Sequence, residues 1–242
     1  MRLVKRTWIA IAVTAVVCSG AVAIVSAATI DRAATVSEPA VRSGDQMQLL
    51  PRPQPPAACD RVIVIGDSLT DNSEPWLVSE LDESGFTSYV DAQPSRQIPA
   101  AVRAPYSGVR AALAVRTTWG EADCWMIALG SNDLIFGGGQ TVGAALARID
   151  EMRGAISPGA AVWWVNVDYH HDPRTGYDMV AATSRFNEAL DRAAAADPMF
   201  TVIDWYSLAE ANLHWFFDPV HVDRAGSIAR AEFTVAALPR PP

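Results

Sequence analysis

A serine hydroxyl becomes a useful nucleophile when an imidazole can take its proton, and the oxyanion that follows needs preset donors. Four short islands hold residues of those types. In chain order they are Gly66-Asp67-Ser68-Leu69, Ser95-Arg96, Gly130-Ser131-Asn132-Asp133 and Asp218-Pro219-Val220-His221. Ser68 follows a β-branched run and is the expected nucleophile, although an Asp-Ser after a strand, taken by itself, is more often a helix N-cap. The coincidence of all four islands favours the chemical role. His221 is one of four histidines. Asp218, three residues earlier in a loop, is close enough to reach its Nδ1 and fix the tautomer, as a base and its orienting acid require. Together these parts suit acyl transfer through a serine-bound intermediate.

Such side chains need a scaffold that brings distant loops together. Val62–Ile65, Thr87–Val90, Cys124–Leu129, Ala161–Val167 and Phe200–Ile203 are short apolar runs that read as buried strands. Helical patterns lie between and after them, at about Trp76–Glu83, Gly108–Thr118, Thr141–Ile156, Met179–Ala196 and Asp223–Ala236, the last with Asp223 as its N-cap. Regular strand–helix alternation predicts a parallel α/β sheet. Ligands of such sheets bind beyond the carboxyl ends of the strands, and Gly66, Ser95, Gly130 and Asp218 all fall in loops that leave that edge.

The order and spacing of the islands resemble the SGNH hydrolases, also called GDSL esterases and lipases, over roughly Arg61 to Leu238. The resemblance implies a single three-layer α/β/α domain with a five-stranded parallel sheet of flavodoxin-like topology. It implies an oxyanion hole built from the Asn132 side-chain amide, the Ser68 backbone N–H and a further backbone N–H at a position where the family has glycine. This chain has Ser95 there, so the donor is kept while its backbone geometry is in question. Arg96 next to it is either a rim guanidinium for a polar substrate or half of an ion pair. Leu69-Thr70 after the nucleophile departs from the Gly-x-Ser-x-Gly elbow of α/β-hydrolases. The implied activity is an exported serine esterase without cofactors, acting on an O-acylated glycan or a small acyl ester. The rivals are an O-acyltransferase on cell-envelope carbohydrate and an inactive carbohydrate-binding domain.

Other residues carry weaker signals. Trp215-Phe216-Phe217 runs into Asp218, so Trp215 is expected either to line the substrate pocket or to anchor the loop. His170-His171-Asp172 has metal-ligating types, but adjacent side chains diverge and nothing else in the chain completes a tetrahedral set; no metal is expected. His214 reads as a packing or rim residue, Asp67 and Asp133 as loop acceptors, and Gly137-Gly138-Gly139 as a mobile loop.

The chain of 242 residues carries 27 acidic and 19 basic residues, three of the latter within the first six. The acidic body argues against nucleic acid as a partner. Residues 1–30, with Arg2, Lys5 and Arg6 before an uncharged run, read as a signal peptide or membrane anchor, and the Pro-rich residues 31–58 as a tether. Residues 59–242 form the expected domain, secreted or held at the outer face of the membrane through the N-terminal segment alone. Cys59 and Cys124 are its only cysteines. They sit at the entries of the first and third strands, which are neighbours in a flavodoxin-like order, so an exported chain should join them.

Overall fold

The computed structural model describes residues 58–136, 141–170 and 178–241. The leader, the tether up to residue 57, Gly137–Gly139, His171 and Asp172 lie outside them. Among the described residues no helix is long and apolar enough to cross a membrane.

Five strands, β1 (Arg61–Gly66), β2 (Thr87–Ala92), β3 (Cys124–Ala128), β4 (Ala161–Val165) and β5 (Phe200–Ile203), form one sheet in the order β2-β1-β3-β4-β5. All four pairings are parallel. Period-2 alternation divides the strand side chains between two cores. Ile63, Ile65, Trp125 and Ile127 pack on one face against α2 (Gly108–Thr118), α4 (Val142–Ala155) and α5 (Met179–Ala196). Val62, Val64, Met126 and Trp163 pack on the other against α1 (Ser68–Glu83), α6 (Trp205–Glu210) and α7 (Arg224–Ala236). These are the three layers expected from the sequence.

Register positions the site. Gly66 pairs with Ala92 on one side and Ala128 on the other, so the exits of β1, β2 and β3 are level. The chain leaves β1 for β2 on one side and returns to β3 on the other. The crevice at that reversal is where ligands of doubly wound sheets bind.

Two differences from the sequence expectation matter. α1 starts at Ser68, eight residues before Trp76, and runs through Pro75. Asp67 caps it, its side chain accepting from Leu69 N–H at 3.0 Å. That satisfies an orphan donor of the first turn and fixes where the helix begins. α3 (Ser131–Ile135) and α6 were not anticipated, because five or six residues are too few to show a helical period.

At the opposite edge, the Cys59–Cys124 disulfide is formed, with a Cα–Cα distance of 5.9 Å. Cys124 pairs in register with Val62, so the bridge ties the segment entering β1 to the start of β3. Both cysteines are fully buried.

Candidate active site

Ser68 is the first residue of α1, carried straight off the end of β1. The turn is tight: a Cβ on Gly66 would sit 2.1 Å from Thr70 Oγ1, so only glycine fits. Ser68 Oγ lies 2.9 Å from His221 Nε2. His221 Nδ1 lies 2.8 Å from Asp218 Oδ2. The other oxygen of Asp218 accepts the N–H groups of Val220 at 2.8 Å and His221 at 2.7 Å, so the carboxylate is clamped by its own loop. Partial burial opposes ionisation of Asp218, but those N–H donors and the imidazole outweigh it and hold the carboxyl below its ordinary range. In the tautomer that donates from Nδ1, His221 presents Nε2 as acceptor for the serine proton.

Asn132 lies in the first turn of α3, directly after the exit of β3. Gly130, at φ 137°, makes that exit possible; a Cβ there would come within 2.6 Å of Phe186. The Asn132 amide donates to Asp67 Oδ2 at 3.2 Å. One carboxylate therefore caps the helix that begins at Ser68 with Oδ1 and orients the amide with Oδ2. The second N–H of that amide and the first-turn N–H groups of α1 are the kind of donor set that receives a developing oxyanion.

No family profile matches the chain, and no curated protein matches it. Solved structures do. The catalytic domain of Streptococcus pneumoniae peptidoglycan O-acetyltransferase A, determined with a methylsulfonyl adduct, superposes with a TM-score of 0.57 at 16% identity, covering 74% of this chain and 90% of that one. A lipase/acylhydrolase from Enterococcus faecalis gives 0.57 at 15% identity, with 73% and 94% covered. A member of the lipolytic G-D-S-L family from Veillonella parvula gives 0.54 at 18% identity, with 73% and 97% covered. The fold is that of the SGNH hydrolases.

Within this SGNH fold, the second island differs from the sequence reading in an informative way. Ser95 adopts φ 63°, in the left-handed region that favours glycine, and is exposed. A non-glycine residue carries local strain in that conformation. Of the two roles expected for it, Arg96 has the contacts of the ion pair. It is 2% exposed, and its guanidinium is spent on Asp91 Oδ1 at 2.7 Å and on the carbonyls of Gly66, Asp91 and Pro105. A buried arginine so saturated staples the β2 exit to the β1 exit.

Trp215 has the contacts of a loop anchor, one of the two roles expected for it. It ends a short 3₁₀ turn, Leu213–Trp215, and stacks on Trp205 of α6 with 9° between planes. Phe216 packs edge-on against His170. The ring that faces the site is Phe217, 68% exposed and nearly parallel to His221 at 6.0 Å. The 3₁₀ turn decides which of three consecutive rings points outward, and the sequence alone does not show that turn. His214 is exposed beside Trp215, as a rim residue.

The two aspartates read as loop acceptors are more than that. Asp67 is 2% exposed, and burial raises its pKa against the opposing pull of Arg230, the Leu69 N–H, His221 and Asn132. Arg230 is buried on α7, its own pKa lowered by burial to about 10 and supported by Asp67. It remains a cation at neutral pH. The buried positions of α7 include Gly226, Ser227, Arg230, Ala231, Thr234 and Val235, a helical stripe in which an arginine is the odd member. That periodicity was the available sign. Asp133, fully buried, accepts from Ile98 N–H at 3.1 Å and from Arg148 at 2.7 Å, joining α3 to the loop after β2 and to α4.

Proposed function

We propose that the chain is an exported serine hydrolase of carboxylic esters. The observation that carries this reading is the unbroken line Ser68 Oγ, His221 Nε2, His221 Nδ1 and Asp218 Oδ2, at 2.9 and 2.8 Å. Ser68 Oγ attacks the ester carbonyl as its proton passes to His221 Nε2. The oxyanion is met by the Asn132 amide and the Ser68 N–H, with the N–H at Ser95 as third donor. Collapse expels the alcohol, protonated by His221, and leaves an acyl-serine. Water, deprotonated by the same imidazole, then releases the acid. Asp67 contributes by holding the Asn132 amide.

The triad is open to solvent: His221 and Asp218 side chains are each about one-third exposed. A shallow site at the surface suits an ester displayed on a larger molecule, such as an O-acylated envelope glycan, as well as a small acyl ester. The leader, the tether and the buried disulfide support a position outside the cytoplasmic membrane, with nucleic acid not among its partners.

A second reading is favoured by one comparison. The pneumococcal domain that shares this fold is named as a peptidoglycan O-acetyltransferase. The same acyl-serine, met by a sugar hydroxyl in place of water, yields transfer. Turnover of p-nitrophenyl acetate by the full chain, with and without chito-oligosaccharide or peptidoglycan fragments, separates the two. Free acetate at all acceptor concentrations supports the hydrolase; acetylated acceptor at the expense of acetate supports the transferase; no Ser68-dependent turnover removes both.

A further inference from the structure

A second imidazole lies between carboxylates beside the catalytic loop. His170 follows the exit of β4, with Nε2 3.5 Å from Asp168 Oδ2 and Nδ1 3.5 Å from Glu210 Oε1. One ligand atom from each of the three residues falls within 4.8 Å of the others. Asp168 is 2% exposed, yet its Oδ2 has no hydrogen-bond partner, and neither has His170 Nε2, which is also buried. A buried carboxylate oxygen and a buried imidazole nitrogen, facing each other without a bond, are expensive to leave unsatisfied. Glu210 is half-exposed at the end of α6, leaving the third side of the cluster accessible to an ion and its waters.

We propose that Asp168, His170 and Glu210 form a binding site for a divalent transition-metal ion of the zinc or manganese class. One imidazole with two carboxylates is a donor set for such ions, which take nitrogen and oxygen together at about 2.0–2.2 Å in the case of zinc. One imidazole gives one ring nitrogen to an ion, so a shared centre spans the 3.5 Å separation on one side of the ring only, and the remaining carboxylate oxygen lies within 4.8 Å of the other two ligand atoms. The sequence expectation of no metal started from His170, His171 and Asp172 and held that nothing else in the chain completes the set. Here two of the three donors come from outside that run, one of them 40 positions further along than His170.

The ion has a structural task. His170 N–H donates to Pro219 O at 2.9 Å, and Phe216 packs edge-on against its ring at 4.6 Å. Both contacts are on the loop that carries Asp218 and His221. An ion held by Asp168, His170 and Glu210 therefore joins the β4 exit and the α6 terminus to the triad loop, and no step of the acyl chemistry passes through it.

Isothermal titration of the full, metal-stripped chain with zinc chloride and, separately, manganese chloride tests this. The expected result is saturable binding of one ion per chain, weakened at least tenfold in both Glu210→Gln and His170→Gln, with a rise of several degrees in melting temperature that both variants lose. Glu210→Gln alters a half-exposed side chain at a helix end, so its fold is safe. No saturable binding of either ion to the wild-type chain, or binding that both variants keep unchanged, overturns the proposal; the second outcome would place the ion on other surface residues.

Discussion

Two histidines stand near carboxylates on neighbouring loops, and the differences between them separate a proton relay from an ion cluster. His221 meets Asp218 at 2.8 Å and Ser68 at 2.9 Å, within hydrogen-bond range on both ring nitrogens. His170 stands 3.5 Å from a carboxylate on either side. Asp218 is fed by two backbone N–H groups and held below the ordinary carboxylate range, whereas Asp168 is pushed up to about 7, first by burial and then by Glu210. A carboxylate that must orient a base needs donors and partial solvation. One left dry beside a like charge is costly to ionise, and a proton or a cation relieves it.

Substitutions at the two histidines should differ most in turnover. His221→Ala and Ser68→Ala should each reduce kcat/KM by roughly 10⁴–10⁶-fold, with the double variant hardly worse, because triad members act as a unit. His170→Gln should keep kcat within a few-fold. Steady-state assays on p-nitrophenyl esters check both, and a His170 variant as dead as His221→Ala would abolish the distinction.

Asn132→Ala should cost on the order of 3 kcal/mol in the transition state, expressed in kcat, since one oxyanion donor is removed. Asp67→Asn should show a smaller loss in the same direction, about tenfold to a hundredfold, because the amide survives but loses its orienting carboxylate. A loss confined to KM in either variant would remove the oxyanion role.

The pH profile sharpens the contrast further. Asp218, with its folded pKa depressed, contributes stability that is complete above the ordinary carboxylate range and is lost only as pH falls through the lowered value. It therefore stays ionised across neutrality, and the acid limb of log kcat/KM should rise with a slope of one, following the single proton on His221. A slope of two would mean that a second group titrates in the relay.

The smallest effect on turnover belongs to the far edge of the sheet. Removing the Cys59–Cys124 bridge should lower stability by about 2–4 kcal/mol, since it closes a loop of 65 residues, and leave kcat unchanged. Thermal melts and assays on Cys59→Ala with Cys124→Ala check this. A large fall in kcat would mean that strain crosses the whole sheet.

What could be read in the sequence follows a physical division. Val62–Ile65 and Ala161–Val165 are legible because a strand buried on both faces must be apolar throughout. Ser68, Asn132, Asp218 and His221 stand out in the sequence because the chemistry expected of them admits few residue types, and the fold brings Ser68, His221 and Asp218 into one line. Asp67 with Arg230, and Asp168 with Glu210, are not, because each pairing is made by tertiary proximity and leaves no local pattern. Pro75 hid the first two turns of α1, since its ring suggests a boundary while the Asp67 cap sets the true one. For Arg96 and Trp215 the sequence left two roles open, because the choice between them turns on burial and ring stacking, which are properties of the folded chain.

The central claim is that Ser68 is activated by His221 for attack on acyl carbon. Labelling of the full chain with a fluorophosphonate, followed by peptide mapping, tests it most directly. The account predicts rapid modification at Ser68 alone, abolished in Ser68→Ala, strongly slowed in His221→Ala and unaffected in His170→Gln. Absence of labelling in the folded wild-type protein, or modification at a serine other than Ser68, would contradict it.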